Sequence, residues 1–191
     1  MRPTLVLGLV GILIAAAAPP AHAQGYLIPY IGYNFGGDSA NCQSLTNCDE
    51  KHLNFGASIG AMGALFGIEE DIGYAKNFFA KTPGSESNVF HAMTNLLVGL
   101  GVGPVQPYLA AGIGLIRPHV SLNPTQTGEK NGVGYDVGGG VNIFPSTHIG
   151  VRGDVRHFHT ISDVTVPILG TSIQTDKLNW WRATVGLAFR F

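Results

Sequence analysis

The chain has 191 residues, with 11 Lys+Arg against 12 Asp+Glu and a formal net charge of −1. That balance argues against nucleic acid as a partner, since phosphate binding needs a basic patch. Charged residues make up 12%, where soluble domains carry ~25%, and mean hydropathy is positive, which disfavours an ordinary soluble domain.

In chain order, the first feature is an address. Arg2 supplies a short positive start, Leu5 to Ala18 is an apolar run, and Ala21-His22-Ala23 fits a small-x-small cleavage site. Residues 1–23 therefore read as a secretory signal peptide and 24–191 as one domain of 191 − 23 = 168 residues. The apolar run is short of the ~20 residues a membrane helix needs, and no later stretch reaches that length. An exported, apolar, charge-poor chain without a membrane helix points to a closed β-barrel, because backbone groups in lipid must be paired internally.

After residue 23, turn signals separate eight segments with a period of two, the mark of β-strands. The predicted strands are 26–35, 52–61, 66–77, 88–100, 107–117, 132–143, 148–159 and 178–191. These lengths suit tilted membrane strands with ~9–11 residues in the hydrocarbon. The alternation is clean in the second, where Leu53, Phe55, Ala57 and Ile59 oppose His52, Asn54, Gly56, Ser58 and Gly60. It is equally clear in the last, where Trp181, Ala183, Val185, Leu187, Phe189 and Phe191 oppose Trp180, Arg182, Thr184, Gly186, Ala188 and Arg190. The links 36–51, 78–87, 118–131 and 160–177 are long; 62–65, 101–106 and 144–147 are short. Outer-membrane barrels have short periplasmic turns and long external loops, which places both termini on the periplasmic side. Val164 to Ile173 is expected to extend the last hairpin beyond the membrane.

Size decides which face looks inward. An eight-stranded barrel is only wide enough for side chains to fill it. Here the polar face is also the small face: Gly56, Ser58, Gly60, Gly112, Gly114, Gly138, Gly140, Gly186 and Ala188. The bulky aliphatic and aromatic groups lie opposite and are expected to face lipid. The lumen set then holds Glu69, Asp71, Asp136 and Asp154 against Arg152, Arg156, Arg182 and Arg190. Balance is expected, because an unpaired charge in a confined site costs several kcal/mol. The set reads as an ion-pair network that plugs the barrel; the alternative is charges that fill space around trapped water. Glu70 falls on the lipid face, where an acid costs up to ~2 kcal/mol. Either a bulge within Glu69–Asp71 shifts the register or Glu70 lies near an interface.

Cys42 and Cys48 are the only cysteines. In an oxidising compartment they are expected to form a loop disulfide, with two free thiols as the alternative. His157 and His159 stand near Thr160, Ser162 and Asp163 at the end of the seventh strand. A hydrolase needs a nucleophile beside a base and an orienting acid. Outer-membrane lipid A deacylases place Ser two residues after His on a late strand; here those positions hold His159 and Ile161. The histidines therefore read as rim residues, and no catalytic, metal or cofactor site is expected. Trp180, Trp181, Tyr26, Tyr30, Tyr74, Phe78 and Phe79 lie near strand ends and read as aromatic girdles.

The stretches YIGYNFG (30–36), FGIEEDIGY (66–74), PYLAAGIGL (107–115), GYDVGGGVNIF (134–144), GVRGDVRHF (150–158) and VGLAFRF (185–191) carry a resemblance. The mature chain resembles the outer-membrane protein β-barrel domain family, close in architecture to the OmpA transmembrane domain. The resemblance implies an eight-stranded antiparallel up-and-down transmembrane β-barrel in the bacterial outer membrane. It implies that Leu187, Phe189 and Phe191 are read by the barrel assembly machinery, after chaperone-guided passage through the periplasm. Lipid and lipopolysaccharide are the expected surroundings. The expected role is structural or surface-interacting, with external loops presented to the medium. The rivals are a narrow porin-like channel for ions or small solutes, a lipid-modifying enzyme and an adhesin.

Overall fold

The computed structural model describes residues 23–37, 53–76, 78, 86–121, 127–129, 131–161, 164–168, 171–175 and 177–191. The strands are β1 (Gln24–Phe35), β2 (Leu53–Met62), β3 (Phe66–Lys76), β4 (Glu86–Gly99), β5 (Val105–Ser121), β6 (Thr127–Glu129), β7 (Gly132–Ile143), β8 (Ile149–Thr160), β9 (Val164–Ile168), β10 (Thr171–Thr175) and β11 (Asn179–Arg190). Every pairing is antiparallel, in the order β4-β3-β2-β1-β11-β8-β7-β5, and a β4–β5 pairing closes the ring. Eight strands thus form a closed up-and-down barrel with no free edge. β6 pairs antiparallel with the end of β5. β9 and β10 form a separate hairpin within the last long link, where an extension was expected.

One end of the barrel gathers the short links 63–65, 100–104 and 144–148, and both Gln24 and Phe191. The tightest is Gly103-Pro104, between the paired Val102 and Val105; Gly103 has φ 62°, which the reversed-hand hairpin turn requires. In the next turn, Ser146 Oγ accepts from the Ile149 amide at 3.0 Å. Phe191 is tied by its amide to the Gly25 carbonyl at 2.9 Å. The opposite end gathers the long links.

The faces separate by exposure. Leu109 is 70% exposed, while its neighbours Tyr108 and Ala110 are 4% and 3%. Leu53, Phe55, Ile59, Ile113, Val185 and Leu187 are likewise exposed, and Glu69, Asp71, Arg156 and Arg182 are buried. This polarity is the reverse of a soluble barrel, as the alternation predicts.

Two parts of the sequence reading need correction. First, not every large group faces outward. Tyr26, Tyr30, Phe78 and Trp180 are buried in the lumen, not set in girdles, together with Ile28, Met93, Leu97, Tyr108, Ile116 and Phe158. The glycines opposite make room for the tyrosines. A Cβ on Gly60 would meet the Tyr26 hydroxyl, one on Gly73 the Tyr30 hydroxyl, and one on Gly140 the Tyr108 hydroxyl, each within 2.7 Å. Trp181 and Tyr74 do face outward, Trp181 stacked on Phe35 and Tyr74 tilted against Phe55; Phe79 lies outside the described residues. Second, no bulge shifts Glu70. Gly60↔Glu69, Ile59↔Glu70 and Ser58↔Asp71 run in unbroken register. Glu70 faces outward between Ile68 and Ile72, well inside the apolar stretch from Phe66 to Tyr74 and away from either end of it. Its carboxylate accepts from Thr94 Oγ1 at 2.9 and 3.0 Å.

Candidate functional site

Among the described residues, ionisable side chains are concentrated in the lumen, which is built in three layers. Along β8, inward positions run Arg152, Asp154, Arg156, Phe158 from the short-link end towards the long-link end. Along β11 they run in the opposite sense, Trp180, Arg182, then the small Thr184, Gly186 and Ala188, then Arg190. Pairing Arg182↔Arg156 and Thr184↔Asp154 sets these groups at matching heights. β3 contributes Glu69 and Asp71, β7 Asp136, and β4 His91 and Asn95.

The middle layer is an ion-pair network. Arg152 Nη1 and Arg156 Nη2 both donate to Glu69, the latter at 2.6 Å. Arg156 Nε donates to Asp154 at 2.9 Å, and its Nη1 lies 3.4 Å from Asp136. Arg182 Nη2 pairs with Asp71 at 2.7 Å. With its amide nitrogen turned to Asp136, Asn95 donates to that carboxylate at 2.8 Å and accepts from Arg156 at 3.0 Å. Charge-assisted bonds of this kind are roughly twice as strong as neutral ones, and Arg forks two carboxylates at once.

The tyrosines finish the layer. Tyr26 donates to Glu69 at 2.8 Å, Tyr108 to Asp154 at 2.5 Å, and Ser58 to Asp71 at 3.0 Å. Arg152 lies between the rings of Tyr26 and Tyr108, and Arg182 between those of Tyr30 and Phe158, each at 4.8 to 5.0 Å. Two guanidinium nitrogens, Arg152 Nη2 and Arg182 Nε, lack hydrogen-bond partners; the ring faces beside them offer weaker cation–π contact.

The other layers are apolar. Towards the long links, Phe158 stacks on Trp180 at 4.9 Å and Phe78 meets Trp180 edge-on at 5.1 Å. Val89, Met93, Ile116 and Leu178 pack around them. Towards the short links, Ile28, Leu97, Ala110 and Ala188 lie with Tyr26, Met62 and Phe144, and the lumen widens into a cavity of about 910 Å³.

Seven of the eight residues read from the sequence as a lumen network thus meet: Glu69, Asp71, Asp136, Asp154, Arg152, Arg156 and Arg182. Arg190 stands apart, its guanidinium on the Phe144 ring in the wide mouth. His91 takes the place that Arg190 was expected to fill, with Nε2 2.6 Å from Arg182 Nη1 and 3.3 Å from Asp71. Arg182 is a permanent donor, so Nε2 serves as its acceptor. The alternation already set His91 on the inward face of its strand; only its omission from the charge count hid it.

At the long-link rim, His157 and His159 pack their rings on Trp181 and Tyr135, at 4.8 and 5.3 Å. Among the described residues, no group of three or more His, Cys, Asp or Glu side chains is placed to hold a metal ion. Cys42 and Cys48 lie outside the described residues.

A closed eight-stranded barrel with an aliphatic outer belt and an ion-paired interior agrees with the family comparison, where residues 7–191 match the outer membrane protein beta-barrel domain. The chain belongs to that family. A 25 kDa outer-membrane immunogenic protein of Brucella canis is 28% identical over 174 residues, covering 88% of this chain and 79% of its own length. Neisserial surface protein A superposes with a TM-score of 0.61 at 16% identity, covering 88% of this chain and 97% of its own. Ail, the attachment invasion locus protein of Yersinia pestis, gives 0.58 at 11% identity, covering 90% and 99%. These two likenesses are of fold. Family, relative and fold together make this chain a bacterial outer-membrane β-barrel protein of structural or surface type.

Proposed function

We propose that this family member is a plugged, non-catalytic barrel that presents its long links to the medium. The observation that supports it is the sequence of lumen layers: a network in which seven Asp, Glu and Arg side chains and His91 interlock, capped by the Trp180–Phe158 stack. An ion crossing it would have to break several charge-assisted bonds at once. In this reading the long links are external and both termini periplasmic, as short periplasmic turns require. The name of the Brucella relative, an outer-membrane immunogen, accords with loops exposed at the cell surface. Leu187, Phe189 and Phe191 are the proposed assembly signal, residues 1–23 the cleaved leader, and Cys42–Cys48 a bridge in the first external loop.

Planar-bilayer recording of the purified barrel tests the plug. The expected result is no steady conductance above the lipid baseline. A large, steady pore would replace this reading with the narrow-channel one, which the wide short-link mouth favours. Unchanged lipid A after overexpression is expected, and a new acyl pattern would establish a lipid-modifying activity instead.

A further inference from the structure

The wide mouth at the short-link end holds a half-buried cation, Arg190. Arg190 lies opposite Tyr26 in the β1–β11 register and shares its inward face. Its Cζ sits 3.5 Å from the Phe144 ring centroid, and its Nη2 donates a long bond of 3.4 Å to Gln106 Oε1. Among the described residues no carboxylate pairs with it. The three other lumen arginines each hold at least one carboxylate. Thr184, Gly186 and Ala188 separate Arg190 from Arg182 along β11 and reach nothing ionic.

The surroundings are those of a small-molecule site. The mouth, of about 910 Å³ and open to solvent on one side, is lined by Tyr26, Met62, Phe144 and the short turns, with Gln24, Gln106, Arg190 and the Ser146-Thr147 turn as polar points. A largely apolar pocket with a few convergent polar groups, of some 300–1,000 Å³, is the usual form of such sites. A guanidinium centred over an aromatic ring leaves edge donors for other partners, and that edge matches a planar carboxylate.

We propose that the short-link mouth binds small amphipathic carboxylates. The carboxylate takes the edge of Arg190 beside the Gln106 amide, and the hydrocarbon or ring part lies against Phe144, Met62 and Tyr26. Beyond Tyr26 and Met62 the lumen is filled by Ile28, Leu97, Ala110 and Ala188 and then by the ion-pair layer, so the site is a pocket and not the start of a passage. It is independent of what the external loops do.

The full barrel, folded into nanodiscs of neutral phosphatidylcholine, is titrated with benzoate while the Arg190 side-chain nitrogen and the Gln106 amide are followed by NMR. Saturable shifts with a Kd of about a millimolar are expected. Benzamide, of the same shape but uncharged, and inorganic phosphate, charged but without an apolar part, are expected to bind at least about tenfold more weakly, one step of ~1.4 kcal/mol. Arg190→Gln is expected to lose the binding by a similar factor. Gln106→Glu keeps the arginine and supplies it with an internal carboxylate, so it too is expected to abolish binding, and it stands in if Arg190→Gln does not fold. Faster migration of the unboiled protein checks folding of both. Absence of saturable shifts in the unaltered barrel, equal affinity for benzamide or phosphate, or undiminished benzoate binding in a folded variant would overturn the proposal.

Discussion

The two ends of the lumen are built from similar side chains to opposite effect. At the long-link end, Phe78, Phe158 and Trp180 pack on one another and Trp180 is 1% exposed. At the short-link end, Phe144 carries the Arg190 guanidinium on its ring and borders the cavity. The difference teaches what closes a narrow barrel. Aromatic rings seal it when they meet ring to ring with aliphatic groups around them, and they line an opening when a charged group takes the place of the second ring. The ion-pair network between the two ends is shared by both, so each end can be altered against a common reference.

The largest effect is expected from that shared layer. Arg156→Leu removes the partner of Glu69, Asp154 and Asp136 together. Breaking a buried pair in this way costs about 3–5 kcal/mol, read as a lower midpoint in urea unfolding of the lipid-inserted barrel. A midpoint near that of the unaltered protein would mean that trapped water replaces the guanidinium. Next comes Trp180→Ala, expected to cost about 3 kcal/mol, at the low end for a large buried aromatic. Because the ion-pair layer persists below it, this variant is expected to remain non-conducting. Ion flow through it would assign the closure to the rings instead.

Phe144→Ala is the matching change at the open end. Phe144 is buried too, at 9% exposure, but it borders the cavity and has no second ring to lose, so the change is expected to cost about 2 kcal/mol, below the usual range for a buried aromatic. Equal losses at Phe144 and Trp180 would erase the contrast between the ends. The smallest effect is expected outside the lumen, at Glu70→Leu. It removes an outward carboxyl held only by Thr94, and is expected to stabilise the barrel by about 1 kcal/mol in thick-chain lipid, since acids on the lipid face are unfavourable in a depth-dependent way. Destabilisation in the same assay would show that the Thr94 bond outweighs the cost of the lipid-facing carboxyl.

Much of the site was legible in residue order because a strand has a strict period. Glu69, Asp71, Arg152, Asp154, Arg156 and Arg182 were placed inward by parity alone, and parity is a local property. The errors came where position along a strand was allowed to outvote parity. Tyr30 is in phase with Asn34, and Trp180 with Arg182, yet nearness to the strand ends suggested girdles. His91 was in phase as well, but carries no formal charge in a residue count. Arg190 fails differently: its parity is right and its height is wrong for pairing, and height depends on the stagger between β11 and β8.

What the chain determined by itself is therefore the strand count, the inward and outward faces and the alternation of long and short links. All of these follow from side-chain alternation and turn chemistry within a few consecutive residues. The closure by β4 and β5, the interlock of Glu69 with arginines four barrel strands later, the rings over glycines and the separation of Arg190 from the described carboxylates were decided only in three dimensions. They depend on shear and radius, which place residues across the lumen from one another without any mark in the local order of the chain.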